Sequence, residues 1–217
     1  METRSNFHKR LDDLHDDVLQ MGIMTSQAIH NSIGALMNRD MVLAHSIIAD
    51  DQKINQHRFE IEEKCIQLIA TQQPAASDLR IIIAVLNIIT EVERIGDYAV
   101  GIAKITLMIG DEPPLKPLVD IPRMAELSAD MLRRSLDAFA NHDADIARGI
   151  GLEDDVIDDL YDQIFHELID IMVEDPKTIT RATRLMWVAH DLERSADRVT
   201  NICERVVFVT TGKMEEF

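Results

Sequence analysis

The fold is decided by the stretch SIGALMNRDMVLAHSIIADDQKI at residues 32–54, because it recurs without a gap at residues 135–157 as SLDAFANHDADIARGIGLEDDVI. A shift of 103 residues places Ser32 on Ser135 and Ile54 on Ile157. Identical residues between these ends include Ala35, Asn38, Asp40, Ala44 and Asp51, which fall on Ala138, Asn141, Asp143, Ala147 and Asp154. An ungapped recurrence of this length predicts a duplicated structural unit.

Composition and the positions of helix-breaking residues predict that each unit consists of long helices. The 217 residues include only eight Gly and six Pro, and aromatic residues make up 4% of the chain. Helix-breaking residues cluster at a few places, and Asp40 is a suitable N-cap for the helix that follows the first break. The predicted helices span residues 5–38, 41–72, 77–109, 122–140, 144–174 and 178–210.

The predicted fold is all-α, with two repeated antiparallel three-helix bundles. The connections between helices are short, which makes neighbouring helices antiparallel. The only stretch that resembles a linker contains Pro113, Pro114, Pro117 and Pro122. We therefore assign residues 1–112 to the first repeat and residues 113–217 to the second.

Net charge restricts the partners of the protein. The formal charge is −17, from 39 acidic and 22 basic residues, and no concentrated basic patch is present. Such a chain repels nucleic acid. The N-terminus lacks an apolar run typical of a signal peptide, and the apolar stretch at residues 81–89 is too short to span a membrane. We expect a cytoplasmic protein that meets the membrane only through partner proteins.

Two acidic motifs occupy matching places in the repeats. Glu93-Arg-Ile-Gly-Asp97 and Glu193-Arg-Ser-Ala-Asp197 superpose with a shift of 100 residues. The i, i+4 spacing places both carboxylates of a motif on one helix face, about 6 Å apart at their Cβ atoms. Two like charges at this distance repel each other unless a cation lies between them. Each motif therefore predicts an Arg, a Lys or a divalent metal beside it.

Further acidic residues are predicted at the same height on neighbouring helices. In an antiparallel pair, residues equally far from the turn are neighbours, which places Asp51 near Asp97 and Asp154 near Asp197. The same count through the other connection places Asp130 level with Asp154, and Gln27 level with Asp51. Each repeat is thus predicted to gather carboxylates from different helices.

Oxygen ligands of this kind are typical of hard cations such as Mg, Mn or Fe rather than a structural Zn with Cys and His ligands. The second repeat has the richer set, because Asn201 continues its motif where the first repeat has Gly101. We expect it to hold metal more tightly. The alternative is a polar helix face on which Arg94 and Arg194 pair with carboxylates, because i, i+4 acidic pairs are common in so acidic a chain.

Sequence motifs of enzymes are absent. The chain has no glycine-rich nucleotide loop, nucleophile elbow or Cys-x-x-Cys, and no Glu-x-x-His of the kind found in di-iron bundles. We expect a protein that is not an enzyme and needs no organic cofactor. Two alternatives remain: a carboxylate-bridged metalloenzyme in a helical bundle, and a purely structural dimerisation module.

The chain resembles the PhoU family over nearly its whole length. The resemblance rests on Gln73-Pro-Ala-Ala-Ser-Asp-Leu-Arg80, on the two acidic motifs, and on Asn201-Ile-Cys203-Glu204 after the second motif. It implies a homodimeric cytoplasmic regulator of phosphate uptake and phosphate signalling that binds the ATPase subunit of a phosphate ABC transporter and a sensor histidine kinase.

The family's acidic motifs bind metal clusters in some members. Carried over, the metal ligands would be Glu93, Asp97, Glu193 and Asp197, with Fe, Mn, Mg or Zn as the ion. The family's first motif usually continues to an Asn at the position of Gly101, so the first site departs from the pattern here.

Overall fold

The computed structural model describes residues 2–217, with side chains from Phe7 onward. Seven α-helices and one 3₁₀ turn follow one another within these residues, and no strand occurs among them. The α-helices are α1 (Glu2–Asn38), α2 (Met41–Gln72), α3 (Ala76–Ile109), α4 (Asp120–Asn141), α5 (Ala144–Gly151), α6 (Asp154–Glu174) and α7 (Ile179–Thr211), with the 3₁₀ turn at Pro176–Thr178. The all-α prediction of two repeated three-helix bundles is confirmed.

The first connection of each repeat is built in the same way. Asp40 accepts a hydrogen bond from the backbone N–H of Leu43, and Asp143 accepts one from that of Ile146. The residue before each cap, Arg39 or His142, adopts a left-handed backbone with φ of 54° or 53°. These aspartates satisfy backbone N–H groups at the helix start that would otherwise lack partners, which is why both copies retain them.

The fifth predicted helix is wrong in one respect, because residues 144–174 form two helices instead of one. The chain turns at Leu152 and Glu153, where the N–H of Glu153 bonds the carbonyl of Ile150. Gly149 and Gly151 precede this turn, whereas the first repeat has Ser46 and Ile48 at the equivalent places and a continuous α2. Glycine weakens a helix by up to about 1 kcal/mol, which favours a break here.

Helices α3 and α7 lie side by side at the centre and join the two repeats. The main apolar core extends through both repeats, from Leu14 on α1 to Val206 on α7, and a smaller cluster lies around Ala35 and Ile47. Arg198 on α7 lies 3.4 Å from Glu91 on α3, and Asn201 also donates to Glu91. These contacts join the central helix of the first repeat to that of the second.

None of the helices in residues 2–217 contains an apolar stretch long enough to cross a membrane.

Candidate metal site

The first acidic cluster consists of Asp51 on α2 and Glu93 and Asp97 on α3. The negative charge of Asp97 is felt by both other carboxyls, and burial followed by this charge raises the pKa of Asp51 and of Glu93. Asn55 donates to Oδ2 of Asp51 at 2.8 Å, while Oδ1 is buried and has no hydrogen-bond partner in the part of the chain that is described. These three carboxyls therefore lie close enough to influence one another's pKa, as the sequence predicted.

A cleft of about 310 Å³ between α1, α2 and α3 leads to this cluster. Asp51 lines it together with Gln27 and Asn31 of α1, and Gly96 lies at its α3 side. A Cβ atom at position 96 would lie 3.8 Å from Oδ1 of Asp51, at ordinary van der Waals distance, so Gly96 packs close to this buried oxygen. Gln27 is therefore at the height that counting from the turns predicts.

The second acidic cluster contains four carboxylates: Asp154 and Asp158 on α6, and Glu193 and Asp197 on α7. Burial, and then the charges of Asp158, Asp197 and Glu193, raise the pKa of Asp154 to about 7. The pKa of Asp158 and of Glu193 is also raised, mainly by burial and then by Asp197. Ionisation of each of these acids therefore opposes ionisation of its neighbours in the cluster.

Unpaired oxygens occur here at the same place as in the first repeat. Oδ1 of Asp154 is buried and, like its repeat equivalent in Asp51, accepts no hydrogen bond from any described residue. Oε2 of Glu193 is also buried and makes no hydrogen bond of acceptable geometry there, although Nδ1 of His190 lies 3.4 Å away. Leaving a buried carboxylate oxygen unpaired is costly, so these atoms are suited to a ligand that supplies positive charge.

Cations already present differ between the two clusters. Nε of Arg58 lies 3.9 Å from Oε1 of Glu93 in the first repeat. The equivalent position in the second repeat is Tyr161, whose pKa is raised by burial and then by the charge of Glu193. Arg194 pairs with Asp197 of its own motif. Each cluster therefore has one arginine in contact with a carboxylate of its motif, and the second cluster has four carboxylates where the first has three.

Asp130 does not join the second cluster, so that part of the prediction is wrong. Its two carboxylate oxygens accept from Arg133 at 2.7 Å and Arg134 at 2.6 Å. Burial acts to raise the pKa of Asp130, but the hydrogen bonds from these guanidinium groups outweigh it and lower the pKa. Arg134 extends the contact to Glu153 in the turn before α6. Counting residues gives the height of a side chain along its helix but does not fix which way the side chain points.

Asn201 likewise contacts Glu91 across the central helix pair, with Nδ2 3.4 Å from Oε2, instead of joining Glu193 and Asp197. Its first-repeat equivalent, Gly101, lies against Asp191 of α7. A Cβ atom at position 101 would come within 2.6 Å of Oδ2 of Asp191, and burial raises the pKa of this carboxyl to about 7. The absence of a side chain at Gly101 thus accommodates the partly buried carboxyl of Asp191 from the other repeat.

Asp158 is the site residue that the sequence analysis did not select. It follows Asp154 by one helical turn, and a shift of 103 residues places it on Asn55, which donates to Asp51. The signal was therefore present: both repeats carry a polar side chain one turn after the aspartate of the cluster.

No three His, Cys, Asp or Glu side chains converge tightly enough within the described residues to form a preformed metal shell. Both clusters instead consist of carboxylates that influence one another's ionisation, with unpaired buried oxygens. Hard-cation chemistry fits this donor set, because every candidate ligand atom is a carboxylate oxygen.

Comparison with known proteins identifies relatives over nearly the whole chain. The family profile described as "PhoU domain" matches twice, at residues 18–106 and 121–206. A protein of Clostridium acetobutylicum named phosphate-specific transport system accessory protein PhoU homolog is 39% identical over 97% of both chains. One of the same name from Pseudomonas aeruginosa is 34% identical over 95% of this chain and 86% of its own.

Solved structures give the same relationship. The crystal structure of the phosphate transport system regulatory protein PhoU from Streptococcus pneumoniae superposes with a TM-score of 0.91 at 33% identity, covering 97% of this chain and 100% of the other. That of PhoU from Pseudomonas aeruginosa superposes with a TM-score of 0.90 at 33% identity, covering 95% of this chain and 100% of that one.

Proposed function

The chain belongs to the PhoU family, and from that premise we propose that it is a non-enzymatic negative regulator of phosphate uptake and phosphate signalling. It acts by binding, in the cytoplasm and as a homodimer. Its partners are the ATPase subunit of a phosphate ABC transporter and a sensor histidine kinase, and it reaches the membrane through them. The names of the relatives support the role in phosphate transport, and the resemblance of the motifs supports the partners.

The observation that carries the metal part of the proposal is the pair of buried, unpaired oxygens in Asp51 and Asp154. They occupy equivalent positions in the two repeats, each beside the Glu-x-x-x-Asp motif of its own repeat. Random surface acids on a helix point to solvent, where water satisfies both oxygens. Two copies of the same buried arrangement favour a cation-binding role over a merely polar helix face.

In the first cluster, Asp51, Glu93 and Asp97 would hold the ion; in the second, Asp154, Asp158, Glu193 and Asp197 would hold it. The chemistry that a bound Fe, Mn, Mg or Zn ion supplies is charge: it neutralises carboxylates that repel one another and fixes their positions. The chain's own contribution is to carry these carboxylates on two helices of each repeat. Bringing α2 to α3, and α6 to α7, around one ion would set the surface that each helix pair presents to a partner.

Metal content per chain tests this proposal directly. We expect bound metal in wild-type protein purified without a chelator or a metal-binding tag, measured by mass spectrometry of the elements. Asp97→Ala and Asp197→Ala each lower it, with the larger loss in Asp197→Ala. Asp170→Ala is the control, because this exposed residue lies about three turns after Asp158 on α6 and belongs to neither cluster. Wild type without metal, with its helical content intact, would remove metal from the proposed mechanism.

Partner binding separates regulation from the two alternatives. With the isolated ATPase subunit and the kinase, we expect binding by wild type that weakens in the presence of a chelator. A structural dimerisation module predicts equal binding by wild type and Asp197→Ala. A carboxylate-bridged metalloenzyme predicts a redox-sensitive optical band that Asp197→Ala removes.

A further inference from the structure

Helix α6 exposes an apolar stripe that the core does not cover. Phe165, Ile169 and Val173 follow one another at i, i+4 and i+8, and we call these three residues the α6 stripe. They are 38%, 37% and 76% exposed. The spacing places them on one side of the helix, so that they form a continuous strip instead of scattered apolar residues.

The stripe extends from the second acidic cluster along the seam between α6 and α7. Tyr161 lies between the two, with its ring centroid 6.3 Å from that of Phe165 and 6.1 Å from that of His190 on α7. Trp187, half exposed, precedes His190 by three residues. Because α6 and α7 are antiparallel, Trp187 lies on the same side of the Tyr161–His190 contact as Phe165. The only Trp of the chain is therefore on α7 at about the height of Phe165.

Negative charge predominates on the helix that carries the stripe, although Lys116, from the connection between α3 and α4, pairs with Glu167 of this helix. Helix α6 carries eight acidic residues and no Lys or Arg. Asp162 and Asp170 lie close to the stripe in the helical projection, each within one turn of its members. A partner that covers the stripe must therefore meet a dense negative field at its edges.

The stripe is not a consequence of the repeated fold. The residues equivalent to Phe165, Ile169 and Val173 in the first repeat are Glu62, Ile66 and Ala70. Helix α2 also carries Lys53, Arg58 and Lys64. The shared packing thus tolerates a charged residue and a small residue at these positions, and the apolar strip in an all-acidic helix belongs to the second repeat.

We propose that the α6 stripe binds a basic amphipathic helix of a partner protein. The apolar face of that helix would cover Phe165, Ile169 and Val173, and its Lys and Arg residues would face the carboxylates along the edges. A second copy of this chain presents the same negative charge and is repelled, as is an anionic membrane surface. The inference rests on the proposed regulatory function, for which it supplies the chemistry of the segment that a partner contributes.

A synthetic amphipathic helix of Leu and Lys serves as the probe, with the full-length protein as its receptor. We expect binding that shifts the emission of Trp187 to shorter wavelength as the indole leaves water. Ile169→Glu lowers the affinity about tenfold or more, as loss of a central apolar contact does. Ile66→Glu, at the equivalent and more exposed position of the first repeat, leaves the affinity unchanged.

The choice of glutamate separates apolar docking from charge attraction alone. Adding a negative charge strengthens binding of a basic peptide that is held only by electrostatics, so equal or tighter binding by Ile169→Glu overturns the proposal. Val173→Glu, at a position 76% exposed, provides a second variant with little effect on folding. Circular dichroism checks that both variants remain helical.

Two other outcomes also overturn the inference. The first is wild type that sediments as a dimer which Ile169→Glu converts to a monomer, because the stripe would then be a contact between copies. The second is binding of the protein to anionic vesicles that Ile169→Glu abolishes. Failure of the peptide to bind a protein that retains its metal and its transporter partner would reject this docking surface alone and leave the proposed function standing.

Discussion

Arg58 and Tyr161 occupy equivalent positions in the two repeats, and only Arg58 brings positive charge to the carboxylates beside it. Nε of Arg58 lies 3.9 Å from Oε1 of Glu93, and its charge acts to lower the pKa of that carboxyl. Tyr161 faces Glu193 at the same height without any charge to offer. A protein cation and a bound metal ion would compete for the same oxygens, so we expect this pair of residues to influence how tightly each cluster holds metal.

Exchanging these residues should shift metal between the clusters. We expect Tyr161→Arg to lower metal affinity at the second cluster, because the guanidinium pairs with Glu193, and Arg58→Tyr to raise it at the first. Calorimetric titration of metal-free protein with Mn²⁺ measures both affinities. Each substitution is made in a variant whose other cluster is disabled, Asp97→Ala or Asp197→Ala. Unchanged affinities in both variants would show that neither residue controls the sites.

Most of the fold was predictable because the breaks between helices occur at residues that act on the backbone locally. Asp40 and Asp143 cap helices, and Pro176 begins the turn before α7, whatever the rest of the chain does. The break at Leu152 could not be predicted in the same way, because Gly149 and Gly151 are weak signals within an otherwise helical pattern. Glycine lowers helix stability there, but the turn also makes a tertiary contact, between Glu153 and Arg134 of α4. Local sequence does not predict such a contact.

The candidate site was likewise predictable only in part. Counting from the turns places Asp51 and Asp154 beside Asp97 and Asp197, because antiparallel helices fix the relative height of their residues. The same count places Asp130 at the second cluster, but two arginines of its own helix hold it elsewhere. The direction of a side chain around its helix depends on how each helix rotates about its axis, which packing decides.

The ion pair between Arg198 and Glu91 should stabilise the association of the two repeats. Both side chains are more than 80% buried, and they join α7 to α3. Arg198→Ala leaves the largely buried carboxylate of Glu91 without its cation and with only the amide of Asn201 as a partner, and we expect it to lower the free energy of unfolding by about 2–4 kcal/mol. Urea denaturation followed by circular dichroism measures the loss.

The control for this prediction is the exposed pair Arg133–Asp137, in which both side chains are more than half exposed. Arg133→Ala should cost less than about 1 kcal/mol, since exposed pairs are screened by water. Replacing both partners, as in Glu91→Gln with Arg198→Met, should recover part of the stability. If Arg198→Ala lowers the free energy of unfolding as little as Arg133→Ala does, the Arg198–Glu91 pair contributes nothing to the association of the two repeats.

Alanine substitution at two glycines should change the stability of the folded protein in opposite directions. Gly212 ends α7 with φ of 74°, and a Cβ atom there would meet the guanidinium of Arg80, so we expect Gly212→Ala to cost about 1–2 kcal/mol. Gly34 lies within α1, and among the described residues a Cβ atom there would meet nothing beyond its own helix backbone within 4 Å. Gly34→Ala should therefore stabilise the protein by up to about 1 kcal/mol. Thermal unfolding compares both variants, and a stabilising Gly212→Ala would contradict the left-handed helix end.

His15 should make the protein less stable as the pH falls below about 6.5. Its ring packs edge-on against Phe139, with a centroid distance of 5.0 Å, and lies 5.6 Å from the ring of His142. Burial, and then the charge of His142, lower the pKa of His15, although Asp12 and Asp16 act in the opposite direction. The unfolded chain then binds a proton at a pH where the folded protein does not, so the stability contributed by neutral His15 is present above the unfolded pKa of about 6.5 and is lost as the pH falls toward the lower folded pKa.

Other groups titrate in the same range, so the prediction concerns a difference between variants. Asp154 and Asp191, whose pKa lies at about 7, favour the folded state as the pH falls and oppose the effect of His15. We therefore expect His15→Gln to lose less stability than wild type between pH 7 and pH 5, as measured by urea denaturation at each pH. His45→Gln, at an exposed position on α2, should follow the wild-type profile. If His15→Gln also follows it, His15 titrates alike in the folded and unfolded chains, and the contact of α1 with the α4–α5 turn carries no pH dependence.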